Sequence, residues 1–252
     1  MDEDLYPLYY REEGNWWWSA GRRALVTSLW RRYGSPSTRP RLLEVGCGTG
    51  GLLRELSSWA EAYGLDLERE AVAFCQERGI DRACQGSVNT LPFRDNTFDG
   101  IIGVDVLEHL DDDDGALREL LRVCRPGGVL VATVPAFQFL WSRRDVQLHH
   151  KRRYTLPQFR ARVARAGFQV LKSTYVNLPL FLPLLVMVKT GRLRSGANQK
   201  VDYALVPGAI NRVLAGVFQL EGRLLAHVSL PIGSSIVCVG AKPASAEERS
   251  GR

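Results

Sequence analysis

"RLLEVGCGTGGLLREL", residues 41–56, joins an apolar run to a glycine-rich turn and then to helix-spaced leucines. Strand, tight turn and helix in that order form the first unit of a parallel α/β sheet. Arg41 to Val45 reads as the strand, and Leu52, Leu53, Leu56 and Trp59 follow at core-facing helical spacing. The glycines answer a steric need, because backbone that approaches a ligand closely leaves no room for a Cβ. The helix N-terminus behind them offers unpaired N–H groups and partial positive charge. Two glycine patterns overlap in this loop. Gly46-x-Gly48-x-x-Gly51 suits a dinucleotide pyrophosphate, whereas Glu44-x-Gly46-x-Gly48-x-Gly50 suits an amino-acid carboxylate. Asp66, 20 residues after Gly46, ends the second strand and serves ribose hydroxyls under either reading. The loop alone leaves both open.

The alternation continues outward as far as residue 174. Ala62–Leu65, Ala83–Gly86, Phe98–Val104, Val129–Val134 and Phe168–Thr174 read as further strands. Helices are expected from about Glu68 to Arg78, around Leu117, Leu120, Leu121 and Cys124, and after the Thr155/Gln158 capping box. Arg125-Pro126-Gly127-Gly128 reads as the terminator of the second of these. Two regions break the pattern. Residues 1–40 form an aromatic, helical N-terminal cap containing Trp16-Trp17-Trp18, which suits either a lid or plain packing. Residues 175–232 form an apolar helical insertion in which Val213, Val217, Leu220, Leu224 and Val228 share one stripe. The core is thus placed at 41–174, its last strand at 233–242, and a disordered tail at 243–252.

Composition bounds the class. With 252 residues, 45% apolar and 24% charged, the chain suits one large globular domain with additions. Five cysteines with no C-x-x-C pair read as free thiols in a reducing compartment. The acidic, aromatic start is no signal peptide, and Leu178–Val188, broken by two prolines, is shorter than the roughly 20 residues of a membrane span. A cytoplasmic location is expected, with membrane-peripheral contact as an option. From Trp141 to Lys172 nine Lys or Arg residues face one acid, a basic stretch inside a chain of net charge +6. It suits an anionic substrate, a phospholipid surface or a solvated helix face, and nucleic acid is not the expected partner.

"LLEVGCGTGGLLREL", "AYGLDLER", "CQGSVNTLPFRDNTFDGIIGVDVLEHL" and "LLRVCRPGGVLVATVP" together closely resemble class I S-adenosylmethionine-dependent methyltransferases. The "LPF…FD" and "PGG" elements distinguish this resemblance from a nicotinamide dehydrogenase. "PAFQFLWSRRDVQLHHKRRYTLPQF" and "LPIGSSIVCVGAKP" are similar to a methyltransferase-11-like bacterial subgroup. The resemblance implies a Rossmann-like, doubly wound, mostly parallel seven-stranded sheet and S-adenosylmethionine as cofactor. It implies that Glu44, Gly46, Cys47, Gly48 and Gly50 surround the methionine part of that donor, with Cys47 contributing backbone. Asp66 would bind ribose, Leu67 would pack on adenine, and Ser87 and Val88 would contact adenine, Ser87 standing where many relatives carry an acid.

Asp105, at the end of the fourth strand, is a candidate for the donor or the acceptor, or a cap of the next turn. His109 and His150 are candidate general bases. The plainer readings make His109 a histidine satisfied beside Asp111–Asp114, Glu108 a helix-start residue, and the four aspartates a solvated turn. Trp141, His149, Arg152, Arg153 and Tyr154 are substrate-side candidates, with Arg152-Arg153 suited to clamping a carboxylate or phosphate. No metal site is expected, since the histidines and acids lack ligand spacing. The implied chemistry is in-line methyl transfer to a small-molecule or lipid-like acceptor. A non-catalytic binding module and a nicotinamide oxidoreductase stand as alternatives.

Overall fold

A computed structural model describes residues 6–190 and 207–244. Two helices open the chain, α1 (Tyr6–Glu12) and α2 (Trp17–Tyr33). The alternating unit follows as β1 (Arg41–Val45), α3 (Gly51–Ser57), β2 (Glu61–Asp66), α4 (Arg69–Glu77) and β3 (Ala83–Gln85). Then come β4 (Phe98–Val104), α5 (Asp113–Val123), β5 (Cys124–Pro135), α6 (Arg143–Gln147), α7 (Leu156–Arg165) and β6 (Gln169–Val176). Helices α8 (Leu178–Lys189) and α9 (Gly208–Leu224) precede β7 (Ser235–Ala241).

The seven strands of the expected, mostly parallel sheet lie in the order β3-β2-β1-β4-β5-β7-β6. β1 to β5 pair in parallel, and β7 runs antiparallel between β5 and β6. Strands buried on both faces explain the continuous apolar runs. Leu43 and Leu42, adjacent in β1, enter opposite cores, as a period of two requires. Leu117 and Leu120 of α5 and Phe159 and Val163 of α7 fill one side. Leu25 and Leu29 of α2, Leu53 and Leu56 of α3 and Cys75 of α4 fill the other. The capping box opening α7 is present in both halves, Thr155 and Gln158.

One expectation changes. Arg125–Gly128 does not separate helix from strand: β5 begins at Cys124, and a register shift against β4 absorbs the turn. The apolar stripe of α9 does not face the core. Val213 is 66% exposed and Leu220 57%, while the opposite face of α9, through Phe218 and Gly222, packs on α2. Trp17 stacks against Phe218 in this joint, its ring centroid 4.9 Å away. The tail from residue 245 lies outside the described residues.

The α2–α9 joint allows a paired test. A Cβ at Gly222 would sit 2.7 Å from the Leu25 backbone nitrogen, whereas one at Gly216 meets nothing within 4 Å. Gly222→Ala is expected to cost about 1–3 kcal/mol by forcing the helices apart. Gly216→Ala is expected to gain about 0.5–1 kcal/mol of helix propensity. Thermal melts of the two variants should therefore move in opposite directions.

Candidate active site

β1 and β4 are neighbours whose following helices cover opposite faces of the sheet, so a crevice forms at their carboxyl ends. A cavity of about 850 Å³ opens there. Gly46 and Gly48 line it with φ of +66° and +52°, backbone that L side chains rarely adopt. A side chain at Gly46 would collide with Val106. Gly50 also turns left-handed; it caps α3 against Cys75 and is not among the residues that line the cavity. The Cys47 thiol points back to Cys75, 3.9 Å between sulfurs, and this hydrogen bond with burial raises its pKa.

Glu44 is 5% exposed, and its Oε2 has no hydrogen-bond partner among the described residues. Burial pushes its carboxyl well above the usual carboxylate range. On the neighbouring strand Asp66 accepts from the Gly48 N–H at 2.8 Å and the Glu68 N–H at 3.0 Å. A carboxylate has about four lone-pair sites, so Asp66 keeps acceptor capacity for hydroxyls. Leu67 beside it is 62% exposed at the cavity rim, and Ser87 and Val88 line the same wall. An ammonium group would satisfy Glu44, a ribose diol Asp66, and a flat heterocycle would cover Leu67. These residues fit S-adenosylmethionine.

Asp105 follows β4 with φ of +53°; its Oδ1 accepts from Thr133 Oγ1 at 2.8 Å and its carboxylate pairs with Arg22. Here Asp105 is a cavity-lining ion pair, not the cap of a helix. Glu108 and His109 occupy the single 3-10 turn Leu107–His109. Glu108 is fully buried instead of starting a helix, and burial raises its carboxyl to about 8. His109 lies against His150, ring centroids 4.7 Å apart, and not against Asp111–Asp114. Burial, then His150, lowers His109 to about 4. His150 Nδ1 lies 2.9 Å from Asp145 Oδ1.

Of the substrate-side candidates, His149 and Arg153 border the cavity, and Trp141, Arg152 and Tyr154 do not. The Arg152-Arg153 clamp is corrected by what the two side chains touch. Arg152 pairs with Asp113, while Arg153 holds both Asp145 oxygens at 2.7 and 3.0 Å. The Tyr154 hydroxyl donates to Asp113 Oδ2 at 2.7 Å inside the core. The four aspartates are likewise not a simple solvated turn. Asp112 caps α5, whereas Asp111, Asp113 and Asp114 pair with Lys151, Arg152, Arg162 and Arg165. With Arg153, five of the nine cations in the basic stretch are therefore neutralised internally. Sequence reasoning also missed Tyr6 and Arg22 from the N-terminal helices, Glu13 from the turn between them, and Leu180, Leu184 and Met187 from α8. The density of aromatics before residue 20 and the apolar run at 178–188 were the available signals.

Residues 43–132 match the family described as the methyltransferase domain. The 24-methylenesterol C-methyltransferase 2 of Oryza sativa subsp. japonica is 30% identical over 181 residues, 64% of this chain and 50% of that one. The phthiotriol/phenolphthiotriol dimycocerosates methyltransferase 1 of Mycobacterium ulcerans is 40% identical over 156 residues, covering 56% and 57%. The chain spans about half the length of the curated relatives it matches. Among solved structures, phosphoethanolamine N-methyltransferase 2 of Haemonchus contortus, in complex with S-adenosyl-L-methionine, matches with a TM-score of 0.57. Its identity is 19%, with 86% of this chain and 52% of that chain covered. These findings bear out the resemblance to class I S-adenosylmethionine-dependent methyltransferases. They favour the methyl-donor reading of the glycine loop over the nicotinamide one.

Proposed function

From the methyltransferase-family domain at residues 43–132, we propose that the chain transfers a methyl group from S-adenosylmethionine to a small, lipid-like acceptor. The observation that carries this reading is one cavity with two unlike sets of lining residues. Glu44, whose Oε2 has no partner, the Gly46–Gly48 turn and Asp66 form the polar set; Leu180, Leu184 and Met187 of α8 form an apolar one. When bound, the donor supplies a methyl group already activated on a sulfonium. The chain's own residues then have three tasks. Glu44, Asp66 and the Gly46–Gly48 backbone hold the donor's polar groups. Trp18 and the α8 leucines bring the acceptor into line and exclude water. His109 and His150 stand where a hydroxyl proton would leave, Asp145 holding the His150 ring.

An apolar acceptor agrees with the outer surface. Leu182, Val186, Ile210, Val213 and Leu220 of α8 and α9 are all at least half exposed. No helix of the described residues is long and apolar enough to cross a membrane. Such a surface suits a peripheral rest on a bilayer, from which a lipid enters past α8.

Labelled donor should be offered with sterols, long-chain acids and phenolic lipids, and transfer of label to one of them is the expected result. Failure to bind donor in calorimetry would end the proposal. For the docking face, Val213→Asp/Leu220→Asp is expected to lower co-sedimentation with anionic vesicles by tenfold or more, since each apolar side chain withdrawn from lipid forfeits about 1.5–3 kcal/mol. Wild-type protein that stays in the supernatant rules the docking out.

A further inference from the structure

We propose that Glu108, His109 and His150 form a binding site for a first-row divalent metal ion at the acceptor end of the cavity. One ligand atom from each lies within 4.8 Å of the others. The 40 residues between His109 and His150 hide this cluster from any spacing rule; the fold closes it by hydrogen-bonding the Lys151 N–H to the Glu108 carbonyl at 2.8 Å.

The case rests on lone pairs without donors. Glu108 is fully buried, and neither carboxylate oxygen accepts a hydrogen bond from another residue. The nearest cationic side chains are occupied, Arg22 with Asp105 and Arg153 with Asp145. His150 Nδ1 faces Asp145, whose carboxylate is held by Arg153 and by the Ser142 N–H at 2.8 Å. A proton on Nδ1 therefore leaves the Nε2 lone pair aimed at Glu108, 3.8 Å from Oε1. The His109 ring packs against that of His150, centroids 4.7 Å apart, and brings one ring nitrogen into the cluster. Three electron-pair donors thus converge on one point.

His150 also has the supporting partner that metal ligands need. A ligating imidazole typically gives its second N–H to a carboxylate or a backbone carbonyl, which fixes tautomer and ring orientation. Here Asp145 does this for His150. Two imidazoles and one carboxylate, with further positions open, suit zinc, cobalt, manganese or iron better than calcium. All three residues line the cavity, so the open positions face the acceptor, where a substrate oxygen would complete the coordination. That last role rests on the methyl-transfer reading, whereas occupancy by metal does not.

The test uses chelator-treated full-length protein and Co2+, followed by its visible d–d absorption, with Zn2+ as competitor. One equivalent bound, displaced by Zn2+, is the expected result. His150→Gln and Glu108→Gln should each weaken Co2+ binding by about 10–100-fold or more. His227→Ala, an exposed histidine remote from the cavity, should leave binding unchanged. Circular dichroism of each variant separates loss of ligand from loss of fold; if both cavity variants unfold, His109→Gln supplies the same comparison. No stoichiometric uptake, or uptake indifferent to all three substitutions, overturns the proposal and leaves a proton shared between Glu108 and the imidazoles. Donor calorimetry on the metal-free protein is run in parallel. Donor binding without metal uptake sinks only the metal site, and metal uptake without donor binding sinks only the transferase reading.

Discussion

Asp66→Ala is expected to weaken S-adenosylmethionine binding by about 100-fold or more in calorimetry. The carboxylate stands at the end of β2, 9% exposed, and already accepts from the Gly48 and Glu68 backbone. Its remaining acceptor sites would, on the proposed function, take the ribose diol. Hydrogen bonds to a charged group are worth about 1.5–3 kcal/mol each, so losing two removes roughly 3 kcal/mol or more, and 1.4 kcal/mol is tenfold. The same substitution releases the Gly48 N–H and loosens the glycine turn, which adds to the loss. Asp66→Asn keeps the shape and one acceptor oxygen, so it should fall between wild type and alanine. An alanine variant that is folded and binds donor within about threefold of wild type would remove Asp66 from the site.

The largest stability effect is expected at Asp145. This carboxylate is fully buried, and the capping box with Ser142 places it at the start of α6. Burial alone would raise its pKa, but the hydrogen bonds from His150 and Arg153 outweigh that and hold it well below the usual carboxylate range. Asp145→Ala leaves the Arg153 guanidinium, itself 11% exposed, without its partner. Removing one member of a buried pair costs about 3–5 kcal/mol. For a chain of this size that corresponds to a fall in Tm of about 10 °C. The pH dependence has a definite sign. A carboxylate whose folded pKa is depressed stabilises the fold above its unfolded value, near 3.9, and that contribution fades as pH falls through the folded value. The gap between wild type and Asp145→Ala should therefore be full at neutral pH and shrink below about pH 4. A gap that stays constant down to the lowest pH at which both fold would contradict the ionised assignment.

Most of the strand–helix alternation and the donor side was legible because it is local. Val45, Gly46, Gly48 and Asp66 lie within a short βαβ stretch, and apolar periodicity plus the need for positive φ identify them without any tertiary contact. What was not legible has one cause. Arg152, Arg153 and Tyr154 are basic and aromatic residues in a loop, and as letters they look free to meet substrate. Their partners, Asp113 and Asp145, are 39, 8 and 41 positions away, so only the packed loop shows that the charge is spent internally. The stripe on α9 was read correctly as one face, yet amphipathicity does not say which face meets the protein. Gly222 and Phe218 on the other side settled that, because a glycine lets α2 approach where the stripe's branched side chains would not.

The sequence by itself thus determined the parallel core, the glycine turn and Asp66 at the second strand's end, since these follow from short-range sterics and periodicity. Only the tertiary structure decided which acids meet which bases, which helix face is exposed, and that Glu108, His109 and His150 converge. Those are pairings across distant segments, set by how β4 and the loop after β5 reach the same edge of the sheet.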